Sequence, residues 1–243
     1  MFDRPSFYAD TVDGAMVYII GISIFLLLGI TLVMLYFVWR YHHKKHPKPI
    51  QTHGNVWVEL TWIVIPTVIV ISMFFYGYMD YKVLVEDEDY DLLVSVTAKK
   101  WDWDFGYMSS DSSFVFDEVV VPVGKTTKFD ITSVDVLHSF YLPGFRIKQD
   151  AVPGTMNSFS ITPNRTGIFD IACTEYCGQY HWKMYKQMRV VSEDEYAVWL
   201  GESKNKYRKE VLQDKKYPLK VPVKNYYENR EAGIEDDRSV ISF

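Results

Sequence analysis

Hydrophobicity along this chain is concentrated in two unbroken blocks and then gives way to short alternating runs. Residues 14–39 carry no charged side chain over 26 positions, and residues 60–79 carry none over 20. A hydrocarbon core is crossed by about 20 helical residues, so the blocks predict membrane-spanning helices over 14–39 and 60–79. Pro66 lies near the start of the second, where a proline is tolerated or kinks the helix. The connecting stretch Arg40-Tyr-His-His-Lys-Lys-His-Pro-Lys48 holds four basic side chains and no acidic one. Positive charge favours the cytoplasmic side, so the loop 40–54 is expected there, with residues 1–13 and everything after about residue 80 on the opposite face. Asp3, Asp10 and Asp13 precede the first block against a single Arg4. A signal peptide has a basic start and a shorter core, so this block reads as a retained anchor.

Beyond Asp80 an acidic run, Glu86 to Asp91, reads as a solvated linker. Short runs rich in β-branched and aromatic residues follow: Leu93–Thr97, Phe114–Phe116, Val119–Val123, Thr126–Ser133, Ser158–Thr162, Gly167–Ala172 and Met184–Val191. Strands at this spacing, with no helical period among them, predict a β-sandwich or barrel. Ser192 and Glu195 form a Ser-x-x-Glu capping box, which opens a short helix through Trp199. The expected layout is an outer leader at 1–13, a helix hairpin at 14–80, a β domain at 81–200 and an extended, partner-bound tail at 201–243. The tail holds ten basic and eight acidic residues.

Composition refines this picture in a few places. A net charge of −5 gives no reason to expect nucleic acid as a partner. Two cysteines are too few for a disulfide framework. Tyr36, Phe37, Trp39, Trp57 and Trp62 suit the membrane interface, and His42, His43 and His46 sit in the basic loop as solvated groups facing lipid. Glu59 stands at the inner edge of the second block. It is either a carboxylate favoured by the helix dipole or a functional group at membrane depth.

The chemistry is concentrated in Cys173-Thr-Glu-Tyr-Cys177-Gly-Gln-Tyr-His181-Trp-Lys-Met184, a Cys-x3-Cys-x3-His-x2-Met run, with His138 upstream. Sulfur with imidazole is a ligand set for copper or zinc, not for magnesium or calcium. A disulfide between cysteines four apart on a tight loop fits poorly. A zinc site of two cysteines and two histidines leaves Met184 without a role. A mononuclear blue-copper site leaves one cysteine unused. Two copper ions bridged by both thiolates use His138, Cys173, Cys177, His181 and Met184, with the Glu175 carbonyl as the nearest further weak ligand.

With these residues the chain resembles subunit II of haem–copper cytochrome c oxidases. The resemblance rests on Asp135-Val-Leu-His138-Ser-Phe, the Cys-x-Glu-x-Cys-x3-His-x2-Met loop, Trp101-Asp-Trp103 with Phe105 and Tyr107, Glu59 with Trp62 and Pro66, and Lys148-Gln-Asp-Ala-Val-Pro-Gly154. It covers about residues 14–200. It implies a membrane-anchored all-β chain: a two-helix transmembrane hairpin followed by a cupredoxin-like Greek-key β-sandwich. It implies a binuclear CuA centre held by His138, Cys173, Glu175 through its carbonyl, Cys177, His181 and Met184, and a magnesium ion shared with subunit I at the Glu175 carboxylate. Trp101 then matches the residue through which cytochrome c delivers electrons, and Asp135 the acidic docking patch for that carrier. Residues 80–200 hold 19 acidic and 11 basic residues, a field that would steer a basic partner. Glu59 matches the mouth of a proton path into subunit I.

The implied protein is the electron-receiving subunit of a respiratory oxidase in a bacterial cytoplasmic membrane, more readily than a mitochondrial one. Its copper domain and both termini are expected on the periplasmic side, with subunits I and III, cytochrome c or another periplasmic carrier, and lipid as partners. Oxygen reduction to water and proton pumping would lie on subunit I, so the chain alone is not expected to be catalytic. The rivals are the copper subunit of a haem–copper nitric-oxide reductase and a membrane-anchored copper carrier. No Cys-x-x-Cys-His occurs, so no fused haem domain is expected.

Overall fold

The computed structural model describes residues 5–48, 50–51, 53–85, 89–109, 112–116 and 118–213. The chain divides into two compact units, residues 1–87 and 88–243.

The first unit is a pair of long helices, α1 (Phe7–Arg40) and α2 (Val56–Val85). Both run past the charge-free windows. α1 starts at Phe7, so part of the expected leader is helical. The Ser6 hydroxyl caps it by accepting from Ala9 N at 3.2 Å, and Asp10 sits favourably in its first turn. α2 starts at Val56, where Asn55 Oδ1 accepts from Trp57 N at 3.0 Å. Charged residues can occupy these ends because a helix outlasts the hydrocarbon it crosses. Pro66 therefore lies well inside α2 and removes one helical N–H. The Thr67 hydroxyl beside it donates to Ile63 O at 2.6 Å, back-bonding to its own helix.

The apolar windows of both helices are unburied within the chain and have mean hydropathies of 2.6 and 2.1. A helix apolar on all sides belongs in lipid or among other apolar helices. A polar link joins the two. Ser72 donates to Ile69 O, so Tyr18 OH donates to Ser72 Oγ at 2.7 Å, and the Tyr18 ring stacks on Tyr76 at 5.4 Å. Tyr18→Phe is expected to loosen the hairpin by about 0.6–1.7 kcal/mol, read as a lower midpoint in detergent unfolding. An unchanged midpoint would deny the bond any weight.

The second unit is a sandwich of two five-stranded sheets. Its strands are β1 (Leu92–Lys99), β2 (Asp102–Ser109), β3 (Ser112–Phe116), β4 (Val119–Pro122), β5 (Thr127–Ser133), β6 (His138–Leu142), β7 (Ile147–Ala151), β8 (Asn157–Ile161), β9 (Gly167–Cys173) and β10 (Tyr185–Val191). One sheet has the order β3-β2-β1-β5-β8 and the other β4-β10-β9-β6-β7. Parallel pairs β1/β5 and β4/β10 arise because the chain crosses between sheets, the Greek-key arrangement of a cupredoxin-like fold. β2, β6 and β7 were absent from the expected strands. In β2 the alternation is present, with Trp103, Phe105 and Tyr107 fully inward, but Asp102, Asp104 and Gly106 interleave with them.

The core is aromatic. Phe140 on β6 sits between Trp103 at 5.2 Å, Phe129 at 5.9 Å and Phe159 at 6.1 Å. Tyr107 clasps the two sheets: its hydroxyl donates to Val120 O at 2.9 Å and accepts from Val120 N at 2.8 Å. Burial holds its pKa well above the ordinary phenolic value.

After β10 the capping box forms as expected, with Glu195 N donating to Ser192 Oγ and Ser192 N to Glu195 Oε2. The helix it opens, α3 (Glu193–Gln213), continues fourteen residues beyond Trp199. Residues 201–213 of the expected extended tail are thus helical, because Lys, Glu and Arg there favour helix once Trp199 is anchored. Trp199 packs on Tyr107 and Phe116 and donates to Glu118 at 2.8 Å. The rest of the expected tail, 214–243, and residues 86–88 of the acidic linker lie outside the described residues.

Candidate metal centre

Three connections meet at one end of the sandwich: the β1–β2 turn at Lys100 and Trp101, the β5–β6 segment Val134–Leu137, and the β9–β10 loop Thr174–Met184. Val134 N bonds to Ala98 O at 3.1 Å, and Lys100 N donates to Asp135 Oδ2 at 2.7 Å. The β9–β10 loop is closed by Cys173 N donating to Met184 O at 3.1 Å. A single helical turn, His181–Lys183, then brings His181 and Met184 back over the cysteines.

Cys173 Sγ and Cys177 Sγ are 3.8 Å apart, both buried and both free thiols. A disulfide would need a separation near 2.0 Å. Cys173 Sγ lies 3.8 Å from His138 Nδ1 and 3.3 Å from Glu175 O. Cys177 Sγ lies 3.5 Å from His181 Nδ1 and 3.8 Å from Met184 Sδ. Each thiol therefore has its own imidazole and its own weak donor. Donor atoms of His138, Cys173 and Cys177 fall within 4.8 Å of one another with all three side chains buried.

Burial, and then the charge of Cys173 beside it, pushes the Cys177 thiol up to about 12. Two adjacent buried thiolates call for a cation. The six donors, two sulfur anions, two imidazoles, one thioether and one carbonyl, form a soft set that fits copper. A single four-coordinate ion such as structural zinc would leave two of them idle.

Around these donors the structure adds supports. His138 is fully buried at the start of β6, and its Nε2 donates to Asp135 Oδ1 at 2.9 Å. That bond leaves the Nδ1 lone pair toward Cys173. Asp135 also accepts from Val136 N at 2.6 Å. Partial burial disfavours its charged form, but the bonds from His138, Val136 and Lys100 outweigh this and lower its pKa. Both its oxygens accept bonds inside the chain, so Asp135 also positions His138.

Trp101 lies over the metal loop. A Cβ built at Gly178, which has φ +121°, would stand 3.3 Å from the Trp101 ring, so only glycine suits that position. The Trp101 indole also meets Tyr180 edge-on at 4.8 Å. Trp103, two residues on, is a core residue with an edge toward His138 at 6.1 Å.

Eight expected site residues are brought together here: Trp101, Asp135, His138, Cys173, Glu175, Cys177, His181 and Met184. Glu59 belongs to the other unit, exposed in the first turn of α2. Gly178 and Tyr180 were missed. Neither belongs to the ligand spacing, and their contact with Trp101 joins segments far apart in the chain.

The description of the cytochrome C oxidase subunit II periplasmic domain matches residues 72–191. That of the subunit II transmembrane domain matches residues 5–79. Cytochrome c oxidase subunit 2 of Cereibacter sphaeroides is 32% identical over 233 residues, covering 79% of this chain and 75% of that protein. The alternative cytochrome c oxidase subunit 2 of Bradyrhizobium diazoefficiens is 30% identical over 227 residues, covering 81% and 80%. The crystal structure of the periplasmic domain of subunit II of cytochrome oxidase from Bradyrhizobium japonicum is 34% identical, covers 49% of this chain and 98% of that one, and has a TM-score of 0.47.

Proposed function

The chain belongs to the cytochrome c oxidase subunit II family, whose members are the electron-receiving subunits of a terminal oxidase, and we propose that it holds a binuclear CuA centre for this task. The observation that carries the reading is the pair of buried thiols 3.8 Å apart, each flanked by an imidazole nitrogen and a weak donor. His138, Cys173, Cys177, His181, Met184 and the Glu175 carbonyl would hold the ions. When bound, such a pair supplies one-electron exchange between an external carrier and a haem.

The chain's own residues set the conditions for that exchange. The sandwich clamps His138 and Cys173 on adjacent strands β6 and β9. Asp135 fixes the His138 ring. The loop closure at Met184 keeps water from the thiols, since Met184 is 1% exposed. Such rigidity leaves little geometry to rearrange. Trp101, packed on Gly178, bridges the surface and the loop, and in this reading it is where cytochrome c or a similar carrier delivers electrons.

The membrane-anchored hairpin would seat the chain beside subunit I, with subunit III nearby, and subunit I would reduce oxygen to water and pump protons. The Glu175 carboxylate, partly exposed and on the same loop as the thiols, suits a magnesium ion shared with that subunit. Glu59 suits the mouth of its proton path. The bacterial relatives point to a bacterial inner membrane, and the basic loop after Arg40 argues for the copper unit on the periplasmic side.

The test is metal analysis of the purified chain in detergent after copper loading. The expected result is two coppers per chain and an EPR spectrum of one electron shared by two equivalent copper nuclei. A one-copper spectrum, or tight retention of a single zinc, would refute the binuclear reading.

A further inference from the structure

Positive charge gathers at the connection between α1 and α2. Between Asp13 and Asp80 the sequence holds one carboxylate, Glu59, against Arg40, Lys44, Lys45, Lys48 and four histidines. Glu59 turns back over Gly54, where a Cβ would stand 2.9 Å from its Oε1. Among the described residues, no carboxylate pairs with any of the four cations.

The connection is folded as well as charged. Lys45 N and His46 N both donate to His42 O, at 2.8 and 3.0 Å, and close a turn just past the end of α1. Arg40 donates through Nη1 to His46 Nε2. A guanidinium has no acceptor, so Nε2 accepts and the neutral ring carries its proton on Nδ1. Arg40 also lies 5.4 Å from the centre of the Tyr41 ring, which meets the His46 ring at 5.2 Å. Lys45 Nζ stands 4.0 Å from the centre of the Trp39 ring. The partners of Arg40 and Lys45 are thus an imidazole and aromatic rings, which orient a cation without neutralising it. Lys44 and Lys48 are exposed in the same connection.

Depth decides what meets this charge. Arg40 ends the charge-free stretch of α1, whose apolar window is unburied within the chain, so the turn leaves the hydrocarbon at headgroup level. Trp39, Tyr41 and Trp57 are exposed there, and such rings settle at a membrane interface. We propose that the α1–α2 connection binds the headgroup phosphate of an anionic phospholipid, with Arg40, Lys44 and Lys48 as donors and Trp39 and Tyr41 at the acyl-chain boundary. A guanidinium forks onto phosphate oxygens in pairs, and a basic cluster directly beside a membrane helix attracts anionic lipid. The inference rests on the membrane-anchored hairpin and is independent of the copper reading.

The test uses the full chain in a neutral detergent, mixed with equal amounts of phosphatidylglycerol and phosphatidylcholine that share the same acyl chains. Lipid carried through gel filtration is quantified by mass spectrometry. Phosphatidylglycerol should be retained over phosphatidylcholine by about fivefold or more. Arg40→Gln combined with Lys44→Gln and Lys48→Gln should bring that ratio below about twofold, with the far-UV circular dichroism unchanged. If the triple variant loses helix, Lys44→Gln with Lys48→Gln decides, since both positions are exposed and outside either helix. That pair alone should remove about half of the preference or more. Inorganic phosphate at the concentration of the lipid should leave the retained lipid in place. Equal retention of the two lipids, or a ratio unchanged in the folded variants, would overturn the proposal. Displacement by inorganic phosphate would overturn it too, by making the connection a seat for a soluble anion. It fails as well if neither lipid is preferred and the variants lose partner subunits from the isolated oxidase, because the cations then serve a protein contact.

Discussion

Cys177→Ser is expected to abolish the copper centre. Cys177 Sγ is in contact with a thiol, an imidazole and a thioether at once: Cys173 Sγ at 3.8 Å, His181 Nδ1 at 3.5 Å and Met184 Sδ at 3.8 Å. Serine keeps the shape but offers a hard, protonated hydroxyl where a soft anion is needed. Loss of an outer hydrogen-bond partner of a metal ligand already costs roughly 10–100-fold in affinity, and loss of a bridging ligand should exceed that. Copper should fall from two per chain to fewer than one, and the shared-electron EPR signal should vanish. The sandwich should persist, because its aromatic core around Phe140 does not use this side chain. Far-UV circular dichroism therefore separates lost ligation from lost fold. A variant that keeps both coppers and the spectrum would sink the bridging role of Cys177.

How far the sequence could be read follows from which interactions are local. The Cys-x3-Cys-x3-His-x2-Met spacing is contained in one loop, so the cluster of donor side chains was legible, as were the two charge-free helices. The ends of those helices were not, because Ser6 and Asn55 cap them beyond the window that hydropathy defines. β2 was hidden by its interleaved aspartates, although the period of two was there. The positioning role of Asp135 was not legible because its surroundings come from elsewhere: the Lys100 amide is thirty-five positions away in the chain. A residue-type reading sees an exposed acid, and only the fold reveals the hydrogen bonds it accepts. Gly178 shows the opposite limit. A lone glycine between a cysteine and a glutamine carries no signal until Trp101 is seen lying on it.

Asp135→Asn should weaken copper binding by roughly 10–100-fold while leaving every ligand in place. In the native site Oδ1 accepts from His138 Nε2 and Val136 N, and Oδ2 accepts from Lys100 N. A carboxylate can satisfy all three donors because it has no hydrogen of its own. Asparagine cannot. With its oxygen toward His138, its amide group meets the Lys100 N–H donor to donor, and an unpaired amide there costs about 1 kcal/mol or more. With the amide turned toward His138, Nε2 must accept, the ring proton moves to Nδ1, and the nitrogen facing Cys173 loses its lone pair. Either orientation disturbs the His138 ring or the turn that carries Trp101. Chelator competition on the copper-loaded chain measures the affinity, and the EPR hyperfine pattern reports whether the histidine still binds. The pH dependence supplies a second check. Because the folded pKa of Asp135 is lowered, its stabilising contribution is present above the ordinary carboxylate pKa and is lost as pH falls through the lowered value. The native chain should therefore lose this support only in acid, whereas the asparagine variant should be weakened equally at neutral pH. Equal copper affinity in the two proteins at neutral pH would show that Asp135 does not position His138.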